Sequence, residues 1–326
     1  MSIKSKVLAL LEQNRGAAVS GKRIAGQLAV SRSAVWKAVE ELRQDGYRIS
    51  AVTNRGYCLE AGNDLLSPEG IRPYLAQPLQ QAEIIVFQTI DTTNNAAKRM
   101  AMDGASHGTM VLAEQQTGGK GRRGRAFFSP PGTGLYLSVI LKPKRGIEQS
   151  LLVTSAAAVA TARALKICGG VEAQIKWVND LYLNGKKICG ILAEAVTNLE
   201  DGAIDYVVVG IGVNLSTPSG GFPPELQDRV ASVFEETGVR IPRNRLAAQI
   251  LTELLFLAGQ PDGGAFLEEY RARSCVLGKR VSLSGPMGED RGTAVDITQE
   301  GHLVVKLDNG ETTTLRSGEI TLRTED

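Results

Sequence analysis

The 326-residue sequence is short of the residue types that build metal centres and disulfide frameworks. Its only histidines are His107 and His302, which excludes a multi-histidine metal site. Its four cysteines, Cys58, Cys168, Cys189 and Cys275, lie far apart with no CxxC pair, so reduced thiols are expected rather than a zinc site or a disulfide scaffold. No stretch approaches the apolar length needed to cross a bilayer. The first residues, interrupted by Lys4, Lys6 and Glu12, lack the apolar core of a signal peptide. Internal repeats and low-complexity tracts are also absent. The sequence thus reads as a cytoplasmic protein without a membrane anchor, with length enough for two or three cores and an ordinary 43% of hydrophobic residues.

The formal net charge of +2 is unevenly spread. Residues 1–60 hold ten Lys/Arg against five Asp/Glu, whereas the remainder holds 27 against 30. A basic head on a mildly acidic body confines any nucleic-acid contact to the head. Within it, Val7, Leu8, Leu10 and Leu11 recur at helical spacing, and Ser20 can cap a short helix with Ile24 and Leu28 on one face. Ser31 or Ser33 can cap a longer helix whose Val35, Val39 and Leu42 face inward, and Gly46 ends it. Two β-like runs, Tyr47–Val52 and Tyr57–Glu60, are joined by the turn residues Thr53-Asn54-Arg55-Gly56. Two helices across a tight turn followed by a hairpin is a winged helix-turn-helix layout. Lys22, Arg23, Ser31, Arg32, Ser33, Trp36, Lys37 and the wing residue Arg55 are its candidate DNA contacts; Trp36 can equally be a core residue.

Asn63-Asp64 and Ser67-Pro68-Glu69-Gly70 mark the passage to a second domain. Strands are expected at Ala82–Phe87, Met110–Glu114, Leu135–Lys142, Gln174–Trp177, Asp180–Leu183, Lys187–Ala195 and Tyr206–Asn214. Helices are expected near Asn95–Asp103, Gln149–Cys168 and Arg243–Ala258. Strands in antiparallel-looking succession with inserted helices argue for an α+β fold rather than a doubly wound parallel sheet. From about Val276 the strands become short, with Asp308-Asn309-Gly310 a strong hairpin signal, and a small β-barrel follows. The expected domains are 1–63, 64–275 and 276–326.

The densest chemical anomaly is Glu114–Arg125, EQQTGGKGRRGR, where four glycines alternate with Lys120, Arg122, Arg123 and Arg125. Glycines let a backbone turn tightly and aim N–H groups at an anion, and guanidiniums add bidentate charge suited to phosphate and carboxylate. Gly119, Gly121 and Gly124 formally satisfy GxGxxG, but Ala126-Phe127-Phe128-Ser129-Pro130-Pro131 follows where a dinucleotide fold needs a helix. A basic nucleic-acid-binding loop is the stronger alternative.

GGKGRRGR resembles the glycine/arginine loop of biotin–protein ligases, usually written GRGRRGR. Further motifs fall in that family's order. Asp91-Thr92-Thr93-Asn94 resembles D-S-T-N, and Lys176-Trp177-Val178-Asn179-Asp180 resembles K-W-P-N-D. Lys187–Glu194 resembles K-x-x-G-I-L-x-E, Gly210–Asn214 matches G-I-G-x-N, and Gly318-Glu319-Ile320 fits the terminal barrel. The winged helix in front matches the subgroup that also represses biotin-synthesis genes. Lys120 stands where arginine is usual, Val178 where proline is, and Phe127 where tryptophan is.

The resemblance implies a central mixed sheet like that of class II aminoacyl-tRNA synthetases and an SH3-like C-terminal barrel. It implies ATP and Mg²⁺ as cofactors, biotin as substrate, and a biotin carboxyl carrier protein as acceptor. Operator DNA and a second copy of the chain in a homodimer are the implied regulatory partners. Lys187 would bridge the biotin carboxylate and the α-phosphate, with Arg122 and Arg125 on phosphate oxygens and Lys120-Gly121 folding over the adenylate. Thr92, Thr93 and Gln116, with Asn94 beside them, would meet the ureido ring. Asn214 would contact the nucleotide, and Asp180 would help bind Mg²⁺ or orient the acceptor lysine. A biotin-sensing regulator without enzymatic activity and a lipoate ligase-like acyltransferase are the rival readings.

Overall fold

Three serines begin the first three helices of the chain. Ser2, Ser20 and Ser31 each accept a hydrogen bond from the backbone N–H three residues on, all at 3.1 Å. They start α1 (Ile3–Gln13), α2 (Gly21–Leu28) and α3 (Arg32–Gln44). Ser31 is thus the cap of α3, and Ser33 lies inside its first turn. The hairpin of β1 (Ile49–Val52) and β2 (Gly56–Leu59) follows, with Val19 bridged to Tyr57. Val7, Leu11, Ile24, Val35, Val39 and Leu59 are fully buried in one cluster. Each such side chain contributes about 1.5–3 kcal/mol relative to exposure.

The computed structural model describes residues 2–53, 55–142, 146–197, 204–260, 264–285, 288–316 and 320–322. Asn54 of the expected wing turn and Gly318-Glu319 of the expected barrel motif lie outside the described residues. The chain divides into two units, Met1–Gln81 with Pro242–Ala248, and Ala82–Ile241 with Gln249–Asp326. In the first, the short α4 (Pro68–Ile71) is capped by Ser67, and the backbone N–H and Nε of Arg243 donate to the Asp64 carboxylate at 2.9 and 3.1 Å.

The second unit is built on a seven-stranded mixed sheet in the order β3-β4-β5-β9-β8-β7-β6. β3 (Ile84–Ile90), α5 (Thr93–Met102) and β4 (Met110–Gln116) form a crossover that makes β3 and β4 parallel. β5 (Gly134–Leu141) and the strands beyond it pair antiparallel. α6 (Gly146–Gly169) leads to β6 (Gln174–Lys176), β7 (Asp180–Leu183), β8 (Lys186–Thr197) and β9 (Ile204–Asn214). β3 runs past the expected Phe87 to Ile90, and α5 begins at Thr93 rather than Asn95, because Thr92 supplies the cap.

α6 corrects one sequence expectation. Its Leu152–Gly169 stretch is long and apolar enough for a membrane span, yet 61% of it is buried inside the fold. Ala156–Ala160 are almost fully enclosed, as in the core helix of a globular unit. α7 (Val233–Thr237) and α8 (Arg243–Ala258) follow, then α9 (Gly264–Ala272), a helix beyond those expected from the sequence. Arg163 of α6 pairs with Glu253 of α8 and Glu269 of α9 at 3.2 and 2.7 Å.

Last comes a five-stranded antiparallel sheet, β13-β12-β11-β10-β14. Its strands are β10 (Arg280–Gly285), β11 (Gly288–Ile297), β12 (Leu303–Leu307), β13 (Thr312–Leu315) and β14 (Ile320–Leu322). The Asp308-Asn309-Gly310 turn joins β12 to β13 as expected. Trp177 is buried and donates its indole N–H to Gly301 O at 3.0 Å, so it is a core residue.

Candidate active site

The parallel register of β3 and β4 sets Ile90 opposite Gln116, which brings the glutamine to the first turn of α5. There the Thr92 hydroxyl accepts from Asn95 N at 2.9 Å, and Gln116 Oε1 accepts from Thr93 N at 2.8 Å. Gln116 Nε2 donates to Ser129 Oγ at 3.0 Å, which ties the end of β4 to the far side of the glycine/arginine run. That run closes on itself. Phe127 N donates to Gly119 O at 2.8 Å, Gly121 N to Arg125 O at 2.7 Å, and a 3-10 turn covers Arg122–Gly124.

Beneath the loop lies a cleft on β8 and β9. Thr92, Thr93, Asn94, Gln116, Lys120, Gly121, Arg122 and Lys187 all line it, so eight of the sequence-predicted residues converge. Lys120, Arg122 and Lys187 give the lining three cations, and no Asp or Glu stands among the lining residues. Such a wall favours an anionic ligand. Two glycines of β9 shape the floor. A Cβ on Gly210 would sit 2.2 Å from Asn94 Oδ1, and one on Gly212 would sit 2.5 Å from the Phe127 ring. Their absent side chains let Asn94 and Phe127 lie directly on the strand.

Lys187 is fixed by its backbone as well as its charge. Its N–H donates to Arg229 O and its carbonyl accepts from Ala231 N, both at 2.9 Å, while Nζ lies 2.7 Å from Asp180 Oδ1. Asn214 donates to Ala231 O at 3.3 Å, on the same segment that holds Lys187. Asn214, Arg125 and Asp180 stand outside the cleft lining, although Asp180 touches it through Lys187. Burial drives the Cys189 thiol far above its ordinary range, against the opposing pull of Lys187, so no thiolate nucleophile is available there.

Four residues near the chemistry were not singled out as ligand-contacting from sequence. Phe127 and Asn179 line the cleft, and Asn179 Oδ1 accepts from Arg122 Nη1 at 3.3 Å. Ser138 is a hydroxyl in the middle of the wholly buried β5, a polar residue in an apolar run that could have marked it. Glu194 ends the K-x-x-G-I-L-x-E match and binds Asn94 Nδ2 at 2.7 Å and the Lys98 ammonium. Burial raises the Glu194 pKa, but the hydrogen bonds from Lys98 and Asn94 outweigh it and hold the carboxyl below its ordinary value.

In the N-terminal unit, Lys22, Arg23, Ser31, Arg32, Ser33, Lys37 and Arg55 are all exposed. Trp36 is 57% exposed on α3, which excludes it from the core and leaves it on the surface the helix offers outward.

Three family models match the chain. A biotin/lipoate A/B protein ligase model covers residues 86–214, an HTH domain model 4–58, and a biotin protein ligase C-terminal domain model 276–323. The bifunctional ligase/repressor BirA of Bacillus spizizenii is 35% identical over 77% of this chain and 76% of its own length. That of Escherichia coli K12 is 30% identical over 99% of this chain and 98% of its own length. Among solved structures, the biotin protein ligase of Aquifex aeolicus in complex with biotin and ATP aligns with a TM-score of 0.62 and 29% identity, covering 74% of this chain and 99% of that one. With three matched models in order and relatives aligned over most of their length, the chain belongs to the family of bifunctional biotin–protein ligases and repressors.

Proposed function

We propose that the protein is an ATP-dependent biotin–protein ligase that also acts as a biotin-responsive repressor. The observation that carries this reading is the meeting of Lys187, the Lys120–Arg122 loop and the Thr92/Thr93/Gln116 group in one acid-free cleft. In the first step a biotin carboxylate oxygen attacks the α-phosphorus of ATP, and pyrophosphate leaves to give biotinyl-5′-AMP. In the second, the ε-amine of a lysine on a biotin carboxyl carrier protein attacks the acyl carbon. AMP departs and the amine proton is released. Both steps crowd anions together, so the enzyme must cancel repulsion while holding an in-line geometry.

Lys187 supplies the central cation, Arg122 and Arg125 hold phosphate oxygens, and Lys120-Gly121 close over the adenylate. Thr92, Thr93, Asn94 and Gln116 meet the ureido ring, and Asn214 meets the nucleotide. Mg²⁺ would arrive on the triphosphate. Asp180 is the carboxylate beside Lys187 that would help hold it or orient the acceptor amine.

Residues 64–275 form the catalytic domain of class II synthetase type in this reading, and 276–326 an SH3-like barrel. Residues 1–63 form the winged helix that binds operator DNA as a homodimer, in the cytoplasm. Lys22, Arg23, Ser31, Arg32, Ser33, Trp36, Lys37 and Arg55 are its contact residues. Biotin-dependent ATP–pyrophosphate exchange tests the enzyme, and its absence would overturn the proposal in favour of a purely sensing protein. Lipoyl transfer without biotin transfer would move it to the lipoate ligases. Operator affinity should rise with biotin and ATP together, because the intermediate promotes dimerisation; indifference to both would refute the repressor role.

A further inference from the structure

A chain of hydrogen bonds runs beneath the cleft from Lys98 through Glu194, Asn94 and Ser138 to Thr93, and its proton count settles what Thr93 can offer a ligand. Asn94 donates its amide protons inward, to Glu194 Oε2 at 2.7 Å and to Leu192 O at 3.3 Å. Its oxygen is thereby turned toward Ser138, whose Oγ is 2.6 Å away. An amide oxygen carries no proton, so Ser138 must donate across that contact.

Ser138 Oγ is also 2.7 Å from Thr93 Oγ1, and its one proton is already committed. The proton in that 2.7 Å contact is therefore the one on Thr93, with Gln116 Oε1 a longer second acceptor at 3.2 Å. That proton is held inside the protein, and Thr93 presents lone pairs alone to the cleft. Thr92 is the opposite case. Its oxygen accepts from Asn95 N at 2.9 Å, leaving its proton for the cleft. A cyclic urea displays N–H donors on either side of a carbonyl acceptor, and this pair of hydroxyls is polarised to match it.

Taking biotin as the ligand proposed above, we infer that Glu194 is a positioning residue that, through Asn94 and Ser138, sets the Thr93 hydroxyl as an acceptor for a ureido N–H. Glu194 can do so because both its oxygens accept, one from Lys98 and one from Asn94. A glutamine has only one oxygen. In Glu194→Gln the Lys98 ammonium claims that oxygen, the new NH₂ faces Asn94, and the amide of Asn94 turns to donate toward Ser138. Ser138 then donates to Thr93 and occupies a lone pair the ligand needs. Removing the cation as well, in the double variant Lys98→Met/Glu194→Gln, frees the glutamine oxygen for Asn94 and restores the original polarity.

The test is calorimetric titration of biotin, without ATP, into the full chain and its variants. E194Q should bind biotin about tenfold more weakly, the loss of roughly one hydrogen bond. The K98M/E194Q double should return to within about threefold of the wild type, since a hydrogen-bond loss this size corresponds to about a factor of ten. Loss of mere structural support gives no such recovery. As an arm that leaves Glu194 intact, Thr93→Ser should retain affinity while Thr93→Val loses it. An E194Q protein that binds like the wild type, a double variant no tighter than the single, or equal binding by the serine and valine variants would overturn the inference while leaving biotin as the ligand. A wild-type protein that takes up no biotin would instead remove the proposed function, and this inference with it.

Discussion

The Lys187 ammonium lies 2.7 Å from Asp180 Oδ1 across the β7–β8 hairpin, with about a quarter of each side chain exposed. A carboxylate or phosphate entering the cleft must compete with Asp180 for this cation, so the pair both aims Lys187 and sets a threshold for its use. Lys187→Ala leaves the Asp180 carboxylate unopposed beside the site of two further anions. Pyrophosphate exchange should fall by about 10²–10³, the scale for losing one preorganised charge donor. Measurable biotin binding should survive, because the ureido contacts come from other elements. Adding Asp180→Asn should recover biotin affinity but not exchange. Undiminished exchange in Lys187→Ala would remove Lys187 from the mechanism.

Arg122 Nη1 of the loop donates to Asn179 Oδ1 at 3.3 Å, and Asn179 is itself held by Ile191: its side-chain amide donates to Ile191 O at 2.8 Å and its carbonyl accepts from Ile191 N at 2.9 Å. Arg122→Gly cuts that tether and removes a cation from the roof of the cleft. The adenylate should then escape before transfer, and biotinylation of bystander proteins, read by streptavidin blotting, should rise severalfold. Leakage at the wild-type level would show that the loop does not retain the intermediate.

Gly212 offers a test of the floor. An added Cβ meets the Phe127 ring at 2.5–2.6 Å, and that ring is braced edge-on by Tyr136 at a centroid distance of 6.4 Å. Gly212→Ala should cost about 1–3 kcal/mol of overpacking. The biotin KM should rise as the ring is forced off the strand. Trimming the ring with Phe127→Val should relieve the clash, so the double variant should melt higher than Gly212→Ala alone. Failure of that recovery would mean the ring moves aside freely.

How far the sequence foretold this site depends on the kind of signal each residue leaves. Lys187, Thr92-Thr93 and the glycine/arginine run sit in contiguous motifs, and all of them reach one cleft. Ser138 and Glu194 act through contacts 44 and 100 residues away in the chain, respectively, and no local pattern announces a partner at that distance. Most strands are legible as short apolar runs between turn residues, whereas the parallel pairing of β3 with β4 depends on α5 crossing between them. α9 buries Phe266, Leu267 and Tyr270, an apolar face too short to mark a helix in the sequence. The apolar length of α6 serves its enclosure in the fold, which composition alone does not reveal.

The N-terminal helix gives the last prediction. On α3, Val35, Ala38, Val39 and Leu42 are buried, which turns Arg32, Trp36 and Lys37 outward together. Trp36, at 57% exposed, adds a large apolar surface to that outward face. If this face meets DNA, Arg32→Ala and Lys37→Ala should each weaken operator binding across sequences and lower the slope of log affinity against log salt by about 1. Trp36→Ala should instead weaken binding with little change in that slope, because it removes contact area and no charge. Pyrophosphate exchange reports on the cleft alone and should be unaltered in all three. A salt slope that ignores both cations would place the DNA-binding face elsewhere on the unit, with Lys22, Arg23 and Arg55 the next residues to substitute.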